Sequence, residues 1–399
     1  MNYTRVHIEA MGYELPPVVV TSEELEARLS PMYQRLRIAP GQLEALTGIS
    51  ERRWWEKEFP LTQGAVKAGR KAIEKSGVSP EDVGVLIYAG VCREQFEPAT
   101  ACAVADALHI SSDAHVFDIS NACLGVLNGI IDIANRIELG QVKAGMVVSC
   151  ESSREIIDIT IERMLAEPTM EVFSSSLATL TGGSGAAAVL LTDRSICERK
   201  DRRLLGATTK AAPQHHRLCR WGITLSPVAI GKMIFSPDKL KLALEQVLDP
   251  ETIPAAVKEL MTHEKLPPAI ANLLPSEKLP KALTQFMSTD SVAVLKHGVE
   301  LGLNTWRSFL TNLGWARDEV DKIICHQVGS GHRDTILKEL GIPPEKDYST
   351  YKYLGNIGTV SLPLTAAMAD QRGFLLRGDR VGFMGIGSGL NCLMLGWEW

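Results

Sequence analysis

"GWARDEVDKIICHQV", residues 314–328, repeats in outline "GVSPEDVGVLIYAGV", residues 77–91. Each copy opens on a glycine that closes a helix-like run, crosses a polar turn and enters a run of aliphatics. No gap is needed, and the step from Gly77 to Gly314 is an offset of 237 that sets Ala89 opposite His326. The same offset of 237 relates "VKAGMVVSC" from Val142 to "DRVGFMGIG" from Asp379. Asn121 and Asn356 each head a helix-like run, at an offset of 235. "GSGAAAVLL" from Gly183 matches "GSGLNCLML" from Gly387 at an offset of 204, so the first copy carries about 33 extra residues around 151–182. Matching offsets in the same order read as a duplicated α/β unit. The apolar strands are continuous rather than alternating, which suits a sheet covered on both faces. The halves are placed at 1–205 and 206–399.

Between them, about 223–286 differs in character. It holds 8 of the 20 prolines and reads as short helices restarted at proline, such as "PDKLKLALEQVL" and "PKALTQFM". An insertion packed on the body is one reading, and a lid or wall for a long apolar ligand is another. A membrane-surface helix fits least, because the charges balance.

The chain has 399 residues, 45% hydrophobic, with a net charge of −5. That is ample for one large α/β domain or two fused ones, and nothing in the charge pattern suggests nucleic-acid binding. No signal peptide and no membrane span is expected, since no apolar run approaches the length required. The eight cysteines form neither a CxxC pair nor a short disulfide framework, so a reduced, cytoplasmic setting is expected. No metal site is expected, because His215–His216 and Cys325–His326 lack ligand spacing.

"VFDISNACLGVLNGI", residues 116–130, places Cys123 between a strand and a helix spanning Leu124 to Ala134. Unpaired N–H groups and the positive end of a helix dipole favour thiolate there, pulling the pKa below its usual value of about 8.5. The same N–H groups can hold an oxyanion. The alternative for Cys123 alone is a small core residue, the reading given to the other seven cysteines. His326 ends a buried strand, where side chains emerge at a sheet's carboxyl edge, and Asn356 stands between glycines at a helix start, an ordinary N-cap position. If the halves pack about a pseudo-dyad, all three converge as a constellation for acyl transfer with carbon–carbon bond formation.

These motifs resemble the thiolase superfamily on its ketosynthase III branch. "DISNACLGVLNGI" is similar to its nucleophile segment, "HQV" to its histidine motif, "GNIGTVSLPL" to its asparagine motif and "GIGSGLN" to its C-terminal glycine turn. The resemblance implies a thiolase fold in α-β-α-β-α layers, with 223–286 as a helical insertion. It implies an acyltransferase in which Cys123 forms a thioester, His326 and Asn356 hold the second substrate's thioester oxygen, and backbone N–H groups of Cys123 and the turn near Ser388 hold the oxyanion. "CREQFEPATA" carries Glu97 where the head-to-head condensing enzymes of bacterial olefin biosynthesis have a "LEPST"-like segment; in them the glutamate reaches into the partner's site. The implied function is non-decarboxylative Claisen condensation of two acyl-CoA thioesters by a homodimer, with no cofactor beyond these substrates. The alternatives are decarboxylative 3-oxoacyl-(acyl carrier protein) synthase III chemistry using a malonyl thioester, with carrier-protein delivery, and a non-catalytic acyl-binding subunit. Arg52, Arg53 and Trp54 stand where relatives contact the CoA nucleotide, or else carry surface charge. The olefin-pathway relatives are expected to be shorter by about the length of the insertion.

Overall fold

A computed structural model describes residues 1–198, 201–225 and 283–399. The chain divides into two compact units, Met1–Arg220 with Ser288–Trp399, and Trp221–Met287. Most of the proline-rich segment, 226–282, lies outside the described residues, and with it most of the helical reading of 223–286.

In the larger unit the first copy runs β1 (Val6–Glu14), α4 (Leu61–Ser76), β4 (Val85–Ala89), α5 (Thr100–Ala107), β5 (His115–Ile119), α6 (Gly125–Glu138), β6 (Ala144–Glu151) and β7 (Gly185–Asp193). A ribbon of β2 (Val18–Thr21) and β3 (Glu51–Trp54), with α1 (Ser22–Arg28), α2 (Ser30–Leu36) and α3 (Gln42–Thr47), interrupts it after β1. The second copy runs β8 (Arg203–Ala211), α9 (Ser291–Leu313), β11 (Lys322–Cys325), α10 (Ser330–Leu340), α11 (Tyr351–Leu354), α12 (Ser361–Gln371), β12 (Arg380–Gly387) and β13 (Asn391–Glu398).

Nine strands lie in the order β11-β12-β13-β8-β1-β7-β6-β4-β5. The duplication shows in their pairing. β4 is parallel to β6, and β6–β7 and β7–β1 are antiparallel. β11 is parallel to β12, and β12–β13 and β13–β8 are antiparallel. α4 and α9 both end on a left-handed glycine, Gly77 at φ 70° and Gly314 at φ 66°, a conformation glycine adopts without a Cβ clash. The extra residues of the first copy are two helices, α7 (Arg154–Ala166) and α8 (Met170–Leu180), inserted between β6 and β7. In place of β5, among the described residues, the second copy has an isolated bridge from Ile323 to Asp347.

Side-chain alternation explains the layers. Val85 and Ile87 of β4 join Phe383 and Leu395 of the second copy around α6 and α12, which fill the space between the half-sheets. Leu86 and Tyr88 point the other way, under α4 and α5. Met384 and Met394 do the same under α9 and α10. The order is therefore α-β-α-β-α, with both faces of each half-sheet covered, as the continuous apolar strands require.

In the smaller unit the described residues belong to two paired strands, β9 (Cys219–Leu225) and β10 (Leu283–Thr289). This corrects the helical reading of "PKALTQFM" over its last five residues. Thr284 and Phe286 favour strand, the Trp221 indole donates to Gln285 Oε1 at 2.9 Å, and Gly222 leaves room for the Phe286 ring.

Candidate active site

β5 stops at Ile119, and the chain reaches α6 through a turn in which Ala122 takes a left-handed φ of 44°. A residue with a Cβ is uncommon there and costs on the order of 1 kcal/mol, so surrounding contacts must hold it. Asn121 supplies them. Its carbonyl accepts from Leu124 N (2.9 Å), its amide donates to Asn128 Oδ1 (2.7 Å), and its Oδ1 accepts from Asn391 Nδ2 of the second copy (3.1 Å). Cys123 sits just ahead of α6 and is partly buried. Burial, then the nearby Cys219 and Glu151, push its pKa up to about 12. Against the stabilisation of thiolate expected at a helix start, desolvation of the charged form is the largest influence, opposed by a hydrogen bond from the Cys123 backbone itself.

The second copy meets this turn. A Cβ on Gly387 would lie 3.4 Å from Cys123 N and 3.6 Å from Cys123 Cβ, so the Gly387 backbone passes directly beside the Cys123 N–H. His326 follows β11, and its N–H donates to Met384 of β12 at 2.9 Å, three residues before Gly387. Burial, reinforced by His332, lowers the His326 pKa to about 4, so the imidazole is neutral at pH 7. Its Nδ1 is buried without a partner among the described residues.

Asn356 does not cap α12, whose N-cap is Val360. Its Oδ1 accepts from Gly358 N at 3.0 Å, within its own turn. Next along, Thr359 Oγ1 accepts from Val126 N of α6 at 2.7 Å.

The duplication makes these contacts reciprocal. Cys123 and Gly358 are equivalent at an offset of 235, and Glu151 and Ser388 at 237. Gly387 lies against Cys123, and Gly358 lies against the Glu151 carboxyl, 3.6 Å from where its Cβ would be. Each copy's helix-start turn thus packs on the other copy's strand end.

Three sequence candidates fall elsewhere. Arg52 is fully buried and donates to Ser22 Oγ (3.2 and 3.1 Å) and Leu180 O (3.3 Å); burial, opposed by Glu44, lowers its pKa to about 10. Trp54 is buried beside it, and Arg53 is partly buried, with Nη1 3.5 Å from Pro16 O. Arg52 and Trp54 alternate with Arg53 on the short strand β3; their face is turned inward, which does not suit a nucleotide contact, while Arg53 lies on the opposite, partly exposed face. Glu97 is exposed on the loop between β4 and α5. Glu151 and Thr359 had not been singled out. A carboxylate closing the all-buried strand "AGMVVSCE" was the available signal for Glu151. Among the described residues no group of three or more His, Cys, Asp or Glu is placed to hold a metal ion.

Residues 47–160 match the family model of the thiolase N-terminal domain, and 310–399 that of the 3-oxoacyl-[acyl-carrier-protein] synthase III C terminal. Layers, duplication and motifs define a thiolase-superfamily condensing enzyme on the ketosynthase III branch. An acyl-CoA:acyl-CoA alkyltransferase of Shewanella oneidensis is 52% identical over 401 residues, and one of Xanthomonas campestris 30% over 400, each match covering 100% of both chains. The chain belongs to this acyl-CoA:acyl-CoA alkyltransferase family. A β-ketoacyl-[acyl-carrier-protein] synthase III of Clostridium tetani is 23% identical over 98% of the chain. Crystal structures of Xanthomonas campestris OleA, one with bound lauric acid and lauroyl-CoA, superpose with a TM-score of 0.81 at 29–30% identity over 100% of this chain. Both alkyltransferases match along their entire length, which overturns the expectation that such relatives lack the 223–286 segment.

Proposed function

We propose that this chain joins two acyl-CoA molecules head to head by Claisen condensation, without decarboxylation. The whole-length match to acyl-CoA:acyl-CoA alkyltransferases carries this reading. Cys123 Sγ attacks the thioester carbon of the first acyl-CoA, the thiol proton leaves with the departing CoA thiolate, and an acyl-Cys123 thioester remains. The N–H groups of Cys123 and of the Ser388 turn receive the transient oxyanion. The carbonyl oxygen of the second acyl-CoA accepts hydrogen bonds from neutral His326 and the Asn356 amide, so negative charge can build on it. Glu97 of the partner chain takes the α-proton. The resulting carbanion attacks the acyl-Cys123 carbon, the new C–C bond forms, and the Cys123 thiolate leaves and is reprotonated. The product is a β-ketoacyl-CoA thioester; water cleaves it to the β-keto acid and free CoA, and loss of CO2 from the acid gives the ketone.

Two features support a homodimer: Phe96, beside Glu97, is 91% exposed, and β5 is a partly buried strand at the end of the sheet order. The OleA crystal structures include variants in which a glutamate or a histidine is replaced, which fits roles for both residue types. Olefin-pathway membership and a cytoplasmic location belong to the same proposal. All eight cysteines are free thiols, and among the described residues no helix is long and apolar enough to cross a membrane. Incubation with lauroyl-CoA alone, followed by mass spectrometry, should give the β-keto acid or its ketone. Product only after a malonyl thioester, on CoA or acyl carrier protein, would replace this reading with decarboxylative synthesis.

A further inference from the structure

The loop from Gly90 to Ala99 carries Glu97 outside any regular element, yet both of its ends are fixed in the same way. At the start, Val91 N donates to Glu151 Oε1 (2.9 Å) and Cys92 N to Oε2 (3.1 Å). At the end, Thr100 N donates to Asp118 Oδ2 (3.0 Å) and Ala101 N to Oδ1 (2.9 Å). Each carboxylate spends one oxygen on each of two successive N–H groups. Both are withdrawn from water: Glu151 is 4% exposed, and the Asp118 side chain 7%.

Desolvating a carboxylate is costly, and a cation usually offsets it. None is paired with Glu151 among the described residues, and the nearest to Asp118 is Arg93 of the loop itself, at 4.0 Å. What the two charges hold are therefore the first N–H groups of the loop, on Glu151, and the first two N–H groups of α5, on Asp118, where the loop ends. Between the clamps, Glu94 accepts from Thr62 N at 2.7 Å, and Gln95–Pro98 make no hydrogen bond among the described residues. Asp118 lies on β5, five residues before Cys123, and Glu151 packs under the Gly358 turn that Asn356 opens. The loop is thus referenced at both ends to the backbone that places the nucleophile and the asparagine.

We infer that Asp118 and Glu151 are positioning residues, which fix the two ends of the 91–99 loop so that it presents Glu97 at a set height and direction. The role rests on the reading of Glu97 as the base. It explains how an exposed loop can deliver a carboxylate with the precision proton transfer demands, where about 1 Å of misplacement can cost a hundredfold in rate.

Asp118→Asn and Glu151→Gln keep shape but turn an NH2 toward a backbone N–H, so each loses one of its two bonds. Both variants, wild type and Glu97→Gln are assayed with lauroyl-CoA for acyl-Cys123 stoichiometry, condensation kcat and KM, and melting temperature, with hydrogen exchange of residues 91–101. The expected result is full acylation, kcat lowered tenfold or more with KM little changed, and faster exchange in 91–101. If one variant fails to fold, the other carries the test. Wild-type kcat in a folded variant, beside an inactive Glu97→Gln, overturns the inference alone. Acylation falling in parallel with condensation also overturns it, since that marks general damage. A wild-type rate from Glu97→Gln removes the base itself, and this role with it.

Discussion

At the scale of single residues, burial holds both the Cys123 thiol and the His326 imidazole neutral at pH 7. Cys123→Ala should abolish covalent acylation by lauroyl-CoA, whereas Cys102→Ala should not; intact-mass spectrometry decides. His326 gives a pH signature. Its pKa is about 4 in the fold against an ordinary value of about 6.5, so between these values the unfolded chain binds a proton that the folded chain refuses. Stability from this site is complete above about 6.5 and is lost as pH falls toward about 4, by as much as about 3 kcal/mol. Denaturant titrations at pH 7 and pH 4.5 should show a larger loss for wild type than for His326→Gln. Cys123, His326 and Asn356 stand out in the sequence because each interrupts an apolar or glycine-rich pattern, and their roles remain part of the proposal. Glu151 and Asp118 do not stand out, because their partners are backbone N–H groups 59 or 60 and 17 or 18 residues away, which no spacing encodes. Arg52 misled because a charged run reads as surface, while β3 turns alternate residues inward.

At the scale of elements, the first turn of α6 is completed from the other copy. Val126 N has no acceptor of its own at that position, and Thr359 Oγ1 provides one at 2.7 Å. Thr359→Val is nearly isosteric and leaves that buried N–H unpaired. The expected cost is about 1–3 kcal/mol by chemical denaturation. An unchanged midpoint would show that water or a shifted neighbour substitutes. Helix ends were readable where glycine marks them, as at Gly77 and Gly314. The α7–α8 pair was readable only as an excess of length, since an offset counts residues without folding them. β10 was misread because leucine and lysine at helical spacing outvoted strand formers whose partner, β9, is more than fifty residues earlier.

At the scale of the molecule, repetition in the sequence was the strongest guide, and it survives as matched strand pairing in the two half-sheets. What it could not show was the missing β5 counterpart, nor that relatives share the full length. The proposed exchange of Glu97 between chains has a clean consequence. Cys123→Ala and Glu97→Gln should each be inactive in condensation, and dimers mixed from the two should regain product, since one of their two sites then holds both an intact cysteine and an intact glutamate. Mixtures as inactive as the parents would place Glu97 in its own chain's site. Finally, the surroundings of the partly buried Cys123 bear on which reagents meet it as thiolate. With its pKa pushed well above the usual thiol range, Cys123 keeps its proton at pH 7. Peroxide and small alkylating agents attack thiolate, so in competition iodoacetamide should label exposed Cys102 well before Cys123. On the proposed reading, a guest that brings its own thioester carbonyl to the N–H groups beside the sulfur is what draws the nucleophile out of a thiol that otherwise keeps its proton.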